Sequence, residues 1–393
     1  MKRAGGLAGI ALLIGGAFLL GFLLTRSAPS ASQVAAPERE RTQPVRLVDE
    51  VRAELAGRYY RPLTPEVLGQ PTVDAMIEGL GDPHTDYLTP AEFETLKERT
   101  EGTYSGVGLT VGPSRAGLIV TSALPGPARE AGIRKGDVIV RIDGKPAGRL
   151  PFERSLALIK GEKGTIVSLT VRRPEAGTMR FQVIRQEIDV RPIQARLLER
   201  RRSKLAYIRV LSFPDGAADR LERATARLVK LGARGAILDL RDNPGGLLSQ
   251  AVDSVSVYLS EGIVCRTDGA HEEDRSYSVT GDASYPDIPL VVLVNGGSAS
   301  AAEIVAAALH ENGRAKLVGD RTFGKASVQT VAPLLNGRAL KLTTAKYITP
   351  AGADITGVGL HPSVEAVDDP LTAERDEAIQ IARQTIFQTL RGR

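Results

Sequence analysis

The chain of 393 residues holds one cysteine, Cys265, so an internal disulfide and a cysteine-rich metal site are both excluded. Its apolar flank, Ile263-Val264, marks that thiol as packed rather than nucleophilic. Histidine is scarce as well. His84, His271, His310 and His361 stand far apart and none forms a His-Glu-x-x-His pair, so no metal and no cofactor are expected. Aromatic residues are only 4% of the chain, the net charge is only +5, and Arg200-Arg201-Arg202 is too short for a basic patch with interleaved rings. Nucleic-acid binding is not expected. What remains is a globular composition, 42% hydrophobic and 25% charged, long enough for two or three domains.

Lys2-Arg3 precedes an uncharged segment from Ala4 to Leu24 that ends at Thr25-Arg26. That length spans a bilayer as a helix, and the positive flank stays cytoplasmic, which sends the rest of the chain out. Residues 1–26 are therefore expected as a membrane anchor, with Ala28 to Ser32 offering the alternative of a cleaved signal. Either places the body of the protein in the periplasm or at the cell surface. Residues 27–44 read as a linker rich in Ser, Ala and Pro. Residues 45–103 turn helical, with Leu47, Val48, Val51 and Leu55, then Val73, Met76, Ile77 and Leu80, recurring at helical spacing. Gly81-Asp82-Pro83-His84-Thr85 stops that pattern, and Thr89-Pro90 opens a further helix. These residues are read as helical packing without a chemical role.

Residues 104–188 change character. Short alternating runs such as Leu118-Ile119-Val120-Thr121 and Val138-Ile139-Val140-Arg141-Ile142 are broken by tight turns such as Asp143-Gly144. Ser105-Gly106-Val107-Gly108-Leu109, the stretch from Pro125 to Asp137, and Ile142-Asp143-Gly144 together resemble a PDZ domain. The resemblance implies that Gly106, Val107, Gly108 and Leu109 receive the terminal carboxylate of a bound peptide. Glycines let successive backbone N–H groups converge on an anion, and a neighbouring strand edge accepts an extended chain.

From Lys204 the pattern becomes α/β, with strands expected at 205–210 and 235–240 and helices at 217–231 and 247–259. Leu290-Val291-Val292-Leu293-Val294 reads as a strand buried on both faces, broken by Asn295-Gly296-Gly297 before an alanine-rich helix. A serine at such a strand-to-helix turn has backbone N–H groups beside it that can hold a developing oxyanion. Spacing alone leaves Ser298 and Ser300 as alternatives for it. Downstream, Lys325 sits among Phe323, Gly324, Ala326 and Val328, with no carboxylate nearby in the sequence to keep it charged. Neutral lysine is a base, and burial lowers its pKa by up to about 3–5 units. An extended 325–329 segment would put Gln329 on the same face as Lys325. Serine and lysine together suggest nucleophilic catalysis without histidine. The Asp242-Asn243-Pro244-Gly245-Gly246 turn lacks the Gly-Lys-Ser/Thr ending of a phosphate loop.

Leu238 to Gly246, Gly297 to Ile304 and Thr322 to Gln329, in that order and after the PDZ-like segment, resemble the carboxyl-terminal processing peptidases. The likeness runs from about Val45 to Val367. It implies an α/β chain with an N-terminal helical region, an inserted β-rich PDZ domain, and a βα catalytic core of the crotonase/Clp-protease kind at 189–367, followed by a C-terminal helix at 368–393. It further implies Ser300 as nucleophile, Lys325 as general base, Gln329 as its orienting partner, and the N–H groups of Ala301 and Gly246 as the oxyanion hole. Ser327 is read as a strand residue. The chain departs from the usual pattern at Ala302, where serine is common, and at Ala326, where glycine is common. The expected activity is serine endopeptidase cleavage near the free C-termini of protein substrates, compatible with a homo-oligomer or an adaptor. The rival readings are a silent PDZ scaffold and a crotonase-like enzyme acting on an acyl-CoA.

Overall fold

The computed structural model describes residues 43–174, 176–200, 203–366 and 376–391. Residues 101–191 cluster as one unit, and the chain on either side of them forms another. In the larger unit a six-stranded sheet runs in chain order: β1 (Ile193–Arg200), β2 (Ser203–Val210), β3 (Ala236–Asp239), β4 (Leu290–Val294), β5 (Lys316–Gly319) and β6 (Val364–Glu365). The first pair is antiparallel and the others are parallel. Helices α1 (Ala217–Lys230), α2 (Leu248–Ser256) and α3 (Ala301–Glu311) carry the chain between these strands.

The uncharged β4 run follows from this arrangement. Val292 and Val294 pack with Ala251, Val255, Ile304 and Val305 of α2 and α3. Their neighbours Val291 and Leu293 point the other way, onto Ala378, Ile379, Ala382 and Ile386 of the C-terminal helix Glu377–Arg391. With apolar cover on both sides, alternation has no polar face to show. The tail helix expected from 368 is thus described only from 377, because residues 367–375 lie outside the described residues.

A second sheet is built on the long strand Ala339–Ile348, paired along one edge with Ser327–Pro333. Its other edge takes Ile263–Gly269 and the short strand Asp86–Leu88. The N-terminal region is therefore not purely helical as expected, since Asp86–Leu88 adds a strand to this sheet. Helices Gln43–Arg58 and Val73–Leu80 pack Val51, Leu55 and Met76, with Tyr59 just past the first helix, on Ala332, Leu334, Leu340 and Leu342 of the hairpin.

The smaller unit is an antiparallel sheet of Leu109–Ser114, Gly117–Ala123, Val138–Ile142, Ile166–Arg173 and Gly177–Ile184, with a helix at Phe152–Ile159. Buried Asp137 binds Arg173 through Nε and Nη2, both at 2.8 Å, which ties the turn before one strand to the end of another. Among the described residues no helix is long and apolar enough to cross a membrane. The segment 4–24 expected as an anchor lies outside them.

Two-sided burial of β4 has a measurable consequence. Leu293→Ala should cost about 2–5 kcal/mol of unfolding free energy. A loss below about 1 kcal/mol in a denaturant titration would mean that the C-terminal helix does not cover this face.

Candidate active site

The break after β4 aims the chain sharply. Asn295 Oδ1 accepts from Gly297 N–H at 3.0 Å and from Asp242 N–H at 2.9 Å, joining the two βα turns. Ser298 Oγ donates to the Leu240 carbonyl at 2.8 Å and accepts from Asn295 N–H at 3.0 Å. Both polar functions of Ser298 are thus committed to holding the turn.

Ser300 is different. It sits at φ 56°, ψ −120°, a left-handed conformation that a non-glycine residue adopts only when its surroundings impose it. Such a strained strand-to-helix turn presents a serine hydroxyl away from the backbone of its own helix. Ser300 Oγ is fully buried and has no hydrogen-bond partner among the described residues. Glu303 reaches back to the start of its own helix, where its Oε2 accepts from Ser300 N–H at 2.9 Å.

The glycine turn after β3 lies against this serine. Asn243 Nδ2 donates to the Val210 carbonyl at 2.9 Å, its Oδ1 accepts from Gly245 N–H at 2.8 Å, and its carbonyl accepts from Ala299 N–H at 2.9 Å. Gly245, at φ +104°, comes so close that a Cβ there would stand 2.9 Å from Ser300 Cβ and 3.0 Å from Ala301 N. The amides of Ala301 and Gly246 donate no hydrogen bond among the described residues. In the sequence Gly245 stands only as part of the glycine turn, and its close approach to Ser300 comes from the fold.

Lys325 approaches from the loop before Ser327–Pro333. It is 3% exposed, and its Nζ donates to Gln329 Oε1 at 2.8 Å, so the two residues expected on one face do meet. Gln329 Nε2 in turn donates to Ser327 Oγ at 2.8 Å, which fixes the amide's orientation. Burial, followed by the Lys341 charge, pushes the Lys325 pKa down to about 7, against the opposing pull of Asp82 and Glu303.

One expectation about its surroundings needs correction. Phe323 is 56% exposed, so the ring is not part of the lysine's apolar cover. Carboxylates reach the lysine from distant segments of the chain. Glu303, fully buried, accepts from Lys325 N–H at 2.9 Å, Gly324 N–H at 2.7 Å and Thr322 Oγ1 at 2.5 Å, besides Ser300 N–H. One carboxylate therefore holds the backbone at Ser300 and at Lys325 together. Its sequence signal was an acid three residues after a serine at a helix start. Ala326, in place of the usual glycine, is itself buried, and its carbonyl accepts from Tyr347 N–H at 2.8 Å.

The comparisons with known proteins meet this geometry. Residues 204–366 match the description "Peptidase family S41" and residues 119–173 match "PDZ domain". A carboxyl-terminal-processing protease of Picosynechococcus is 39% identical, over 79% of this chain and 76% of its own length. The chain belongs to the carboxyl-terminal processing peptidases. A carboxy-terminal processing protease of Bacillus subtilis is 34% identical, over 80% of this chain and 67% of its own. A solved photosystem II D1 C-terminal processing protease superposes with a TM-score of 0.55 at 29% identity, covering 87% of this chain and 97% of that one. This peptidase is accordingly a serine peptidase with a PDZ domain, which removes the scaffold and acyl-CoA readings.

In the PDZ unit, the Val107 and Gly108 amides donate no hydrogen bond among the described residues, whereas their carbonyls accept from Ala128 and Leu124 N–H at 3.0 and 2.9 Å. Leu109 pairs with Ala123 and opens a strand. No group of three or more histidine, cysteine or acidic side chains able to hold a metal occurs among the described residues. Cys265 is buried, and that burial pushes its pKa up to about 12.

Burying Lys325 has a sign that can be tested. Its folded pKa of about 7 lies below the 10.5 of an unfolded lysine. Below about pH 7 both states are protonated and the folded state carries the full cost, about 1.4 kcal/mol per unit of depression. Between about 7 and 10.5 only the unfolded chain binds the proton, so stability rises with pH. Lys325→Met should therefore stabilise the fold at pH 6, by on the order of 2–4 kcal/mol, with the gain shrinking toward pH 10. A destabilised methionine variant at pH 6 would contradict the buried, depressed lysine.

Proposed function

We propose that this chain is an endopeptidase in which Ser300 and Lys325 form the catalytic dyad, cleaving proteins near a C-terminus that the PDZ unit captures. The observation that carries the reading is a buried, unpartnered Ser300 hydroxyl on a backbone clamped, through Glu303, to a buried lysine of pKa about 7. A lysine with that proton affinity is neutral in about half the molecules at neutral pH, as a general base requires.

Neutral Lys325 takes the proton of Ser300 Oγ as that oxygen attacks the substrate carbonyl carbon. The carbonyl π-electrons move onto oxygen, and the oxyanion is met by the N–H groups of Ala301 and Gly246. Collapse expels the C-terminal fragment as an amine, which takes the proton from Lys325 and leaves an acyl-serine. Water, deprotonated by the same lysine, repeats the sequence and restores Ser300. Gln329 keeps Nζ directed by accepting a hydrogen bond from it. In the PDZ unit, the amides of Val107 and Gly108 attract the carboxylate of the captured tail. The cationic start and the apolar segment 4–24 favour an extracytoplasmic enzyme tethered to the membrane.

On a short unstructured peptide, kcat/KM should rise with pH to a plateau with a midpoint near that of Lys325. Ser300→Ala and Lys325→Arg should lose at least about a thousandfold, since guanidinium does not deprotonate. Ser298→Ala should keep substantial activity while losing about 1 kcal/mol of stability. Equal losses from the two serine changes, or an active arginine variant, would sink the dyad.

Tail capture has its own assay. A peptide ending in a free carboxylate should bind at least about tenfold more tightly than its amidated twin, because the amide lacks the charge that the loop's N–H groups attract. Equal affinities would remove Gly106 to Leu109 from recognition.

A further inference from the structure

The turn Gly81-Asp82-Pro83-His84-Thr85 lies far from the catalytic motifs in sequence, yet Asp82 and His84 are within electrostatic reach of Lys325. Helix Val73–Leu80 ends at Gly81, whose φ of +61° gives it a left-handed cap and turns the chain toward the second sheet. Asp82 then gathers donors: His84 N–H at 2.9 Å, Thr85 Oγ1 at 2.7 Å and Tyr59 Oη at 3.4 Å. Thr85 Oγ1 accepts from Thr343 N–H at 3.1 Å. Thr343 is the cross-strand partner of Gln329, at a register shift in the hairpin, and Gln329 Oε1 holds Lys325 Nζ. A contiguous path of hydrogen bonds and one strand pairing thus runs from the Asp82 carboxylate to the lysine.

We propose that Asp82 is a positioning residue of the active site: anchored through Thr85 and Thr343, its carboxylate keeps Lys325 basic against the burial of its amine. The inference rests on Lys325 serving as the base. The charged and titratable groups around Lys325 are Asp82 and His84 from this turn, Glu303 from α3, and Lys341 from the strand Ala339–Ile348. Asp82 and Glu303 favour the ammonium, and Lys341 opposes it. Burial, then the charge of Lys325, holds His84 below the usual imidazole range, against the pull of Asp82. The neutral ring therefore adds no charge beside the lysine. Glu303 holds the α3 start and the lysine loop through four donors, whereas Asp82 is an acid that the N-terminal region brings to the site. Without it, burial and Lys341 would press the lysine further down, making a more weakly basic amine and a poorer acceptor for the serine proton.

A structural turn residue and a charge-setting residue respond differently to Asp82→Asn, which keeps an acceptor oxygen but loses the charge. The test uses the full chain, with Lys325 followed by NMR of ¹³C-labelled lysine in a Ser300→Ala background and assigned by Lys325→Met. The pH profile of kcat/KM is measured in parallel in proteins that retain Ser300. Asp82→Asn should move both the lysine titration and the acidic limb to lower pH, raising kcat/KM at pH 6, relative to its plateau, by about threefold or more. Asp82→Glu should return both toward wild type, and Lys341→Gln should move both to higher pH. Asp82→Ser, also uncharged, serves if the asparagine variant does not fold. A folded uncharged variant with both midpoints unmoved overturns the proposal and leaves Asp82 as a turn cap. A lysine titration that moves while the acidic limb stays keeps Asp82 as the charge partner but removes Lys325 as the base, which separates the two readings.

Discussion

The Glu303 carboxylate is the interaction on which the site depends. A buried anion costs several kcal/mol unless its oxygens are satisfied. Here four donors satisfy it: the N–H groups of Ser300, Gly324 and Lys325, and the Thr322 hydroxyl. The first belongs to the start of α3 and the other three to the loop before the second sheet's hairpin. Pulling either segment away would strand a charge in the core. The positive end of α3 further favours an acid in its first turn. The same carboxylate thus holds the two segments together and offsets the cost of its own burial.

Around that clamp the ordinary rules of a stable fold are broken in a cluster. Ser300 is in a left-handed conformation, its hydroxyl is buried with no partner among the described residues, and Lys325 is buried with its amine on a neutral amide. Each is unfavourable by a kcal/mol or more on general grounds, roughly 1–3 for the strained backbone alone. The cover on both faces of β4 provides the rigidity that such a cluster needs, because Val292 and Val294 on one side and Leu293 on the other leave the turn little freedom to relax. Strain that could relax would let the hydroxyl find a partner and lose its reactivity. Proteins depart from local consistency mainly where function demands it.

That contrast also explains what could be read from the sequence. β4, α1 and α2 follow from apolar pattern, and Asn336-Gly337 between the runs 328–335 and 338–348 reads as the turn of a hairpin. The hairpin connection is a 3₁₀ turn at Leu335–Gly337 rather than a two-residue loop, a detail that loop length decides. Strand Asp86–Leu88 has three residues and no pattern, while Glu272–Ser278 is mostly polar or charged, so neither announces itself. At the site, Lys325 and Gln329 are four residues apart and their meeting is local geometry. The choice between Ser298 and Ser300 depends on which hydroxyl the turn consumes, and that depends on the Leu240 carbonyl of a different βα unit. Asp82 was read as part of a helix stop because nothing in its own neighbourhood points to a lysine more than two hundred residues on.

The hairpin 327–348 is where these distant parts meet. One end of it carries Gln329 and Thr343, which face the lysine and the Asp82 turn. The other end carries Ala332, Leu334, Leu340 and Leu342, on which the N-terminal helices pack. Tyr60 N–H also donates to the Thr343 carbonyl at 3.0 Å, between the two. The N-terminal region therefore cannot leave this hairpin without losing apolar burial and freeing Thr343 from the Tyr60 and Thr85 bonds in the same event. Docking of that region and the electrostatic environment of Lys325 are thus coupled through one strand. Loosening the helices Gln43–Arg58 and Val73–Leu80 would therefore disturb the charges around Lys325 as well as the apolar cover of the hairpin.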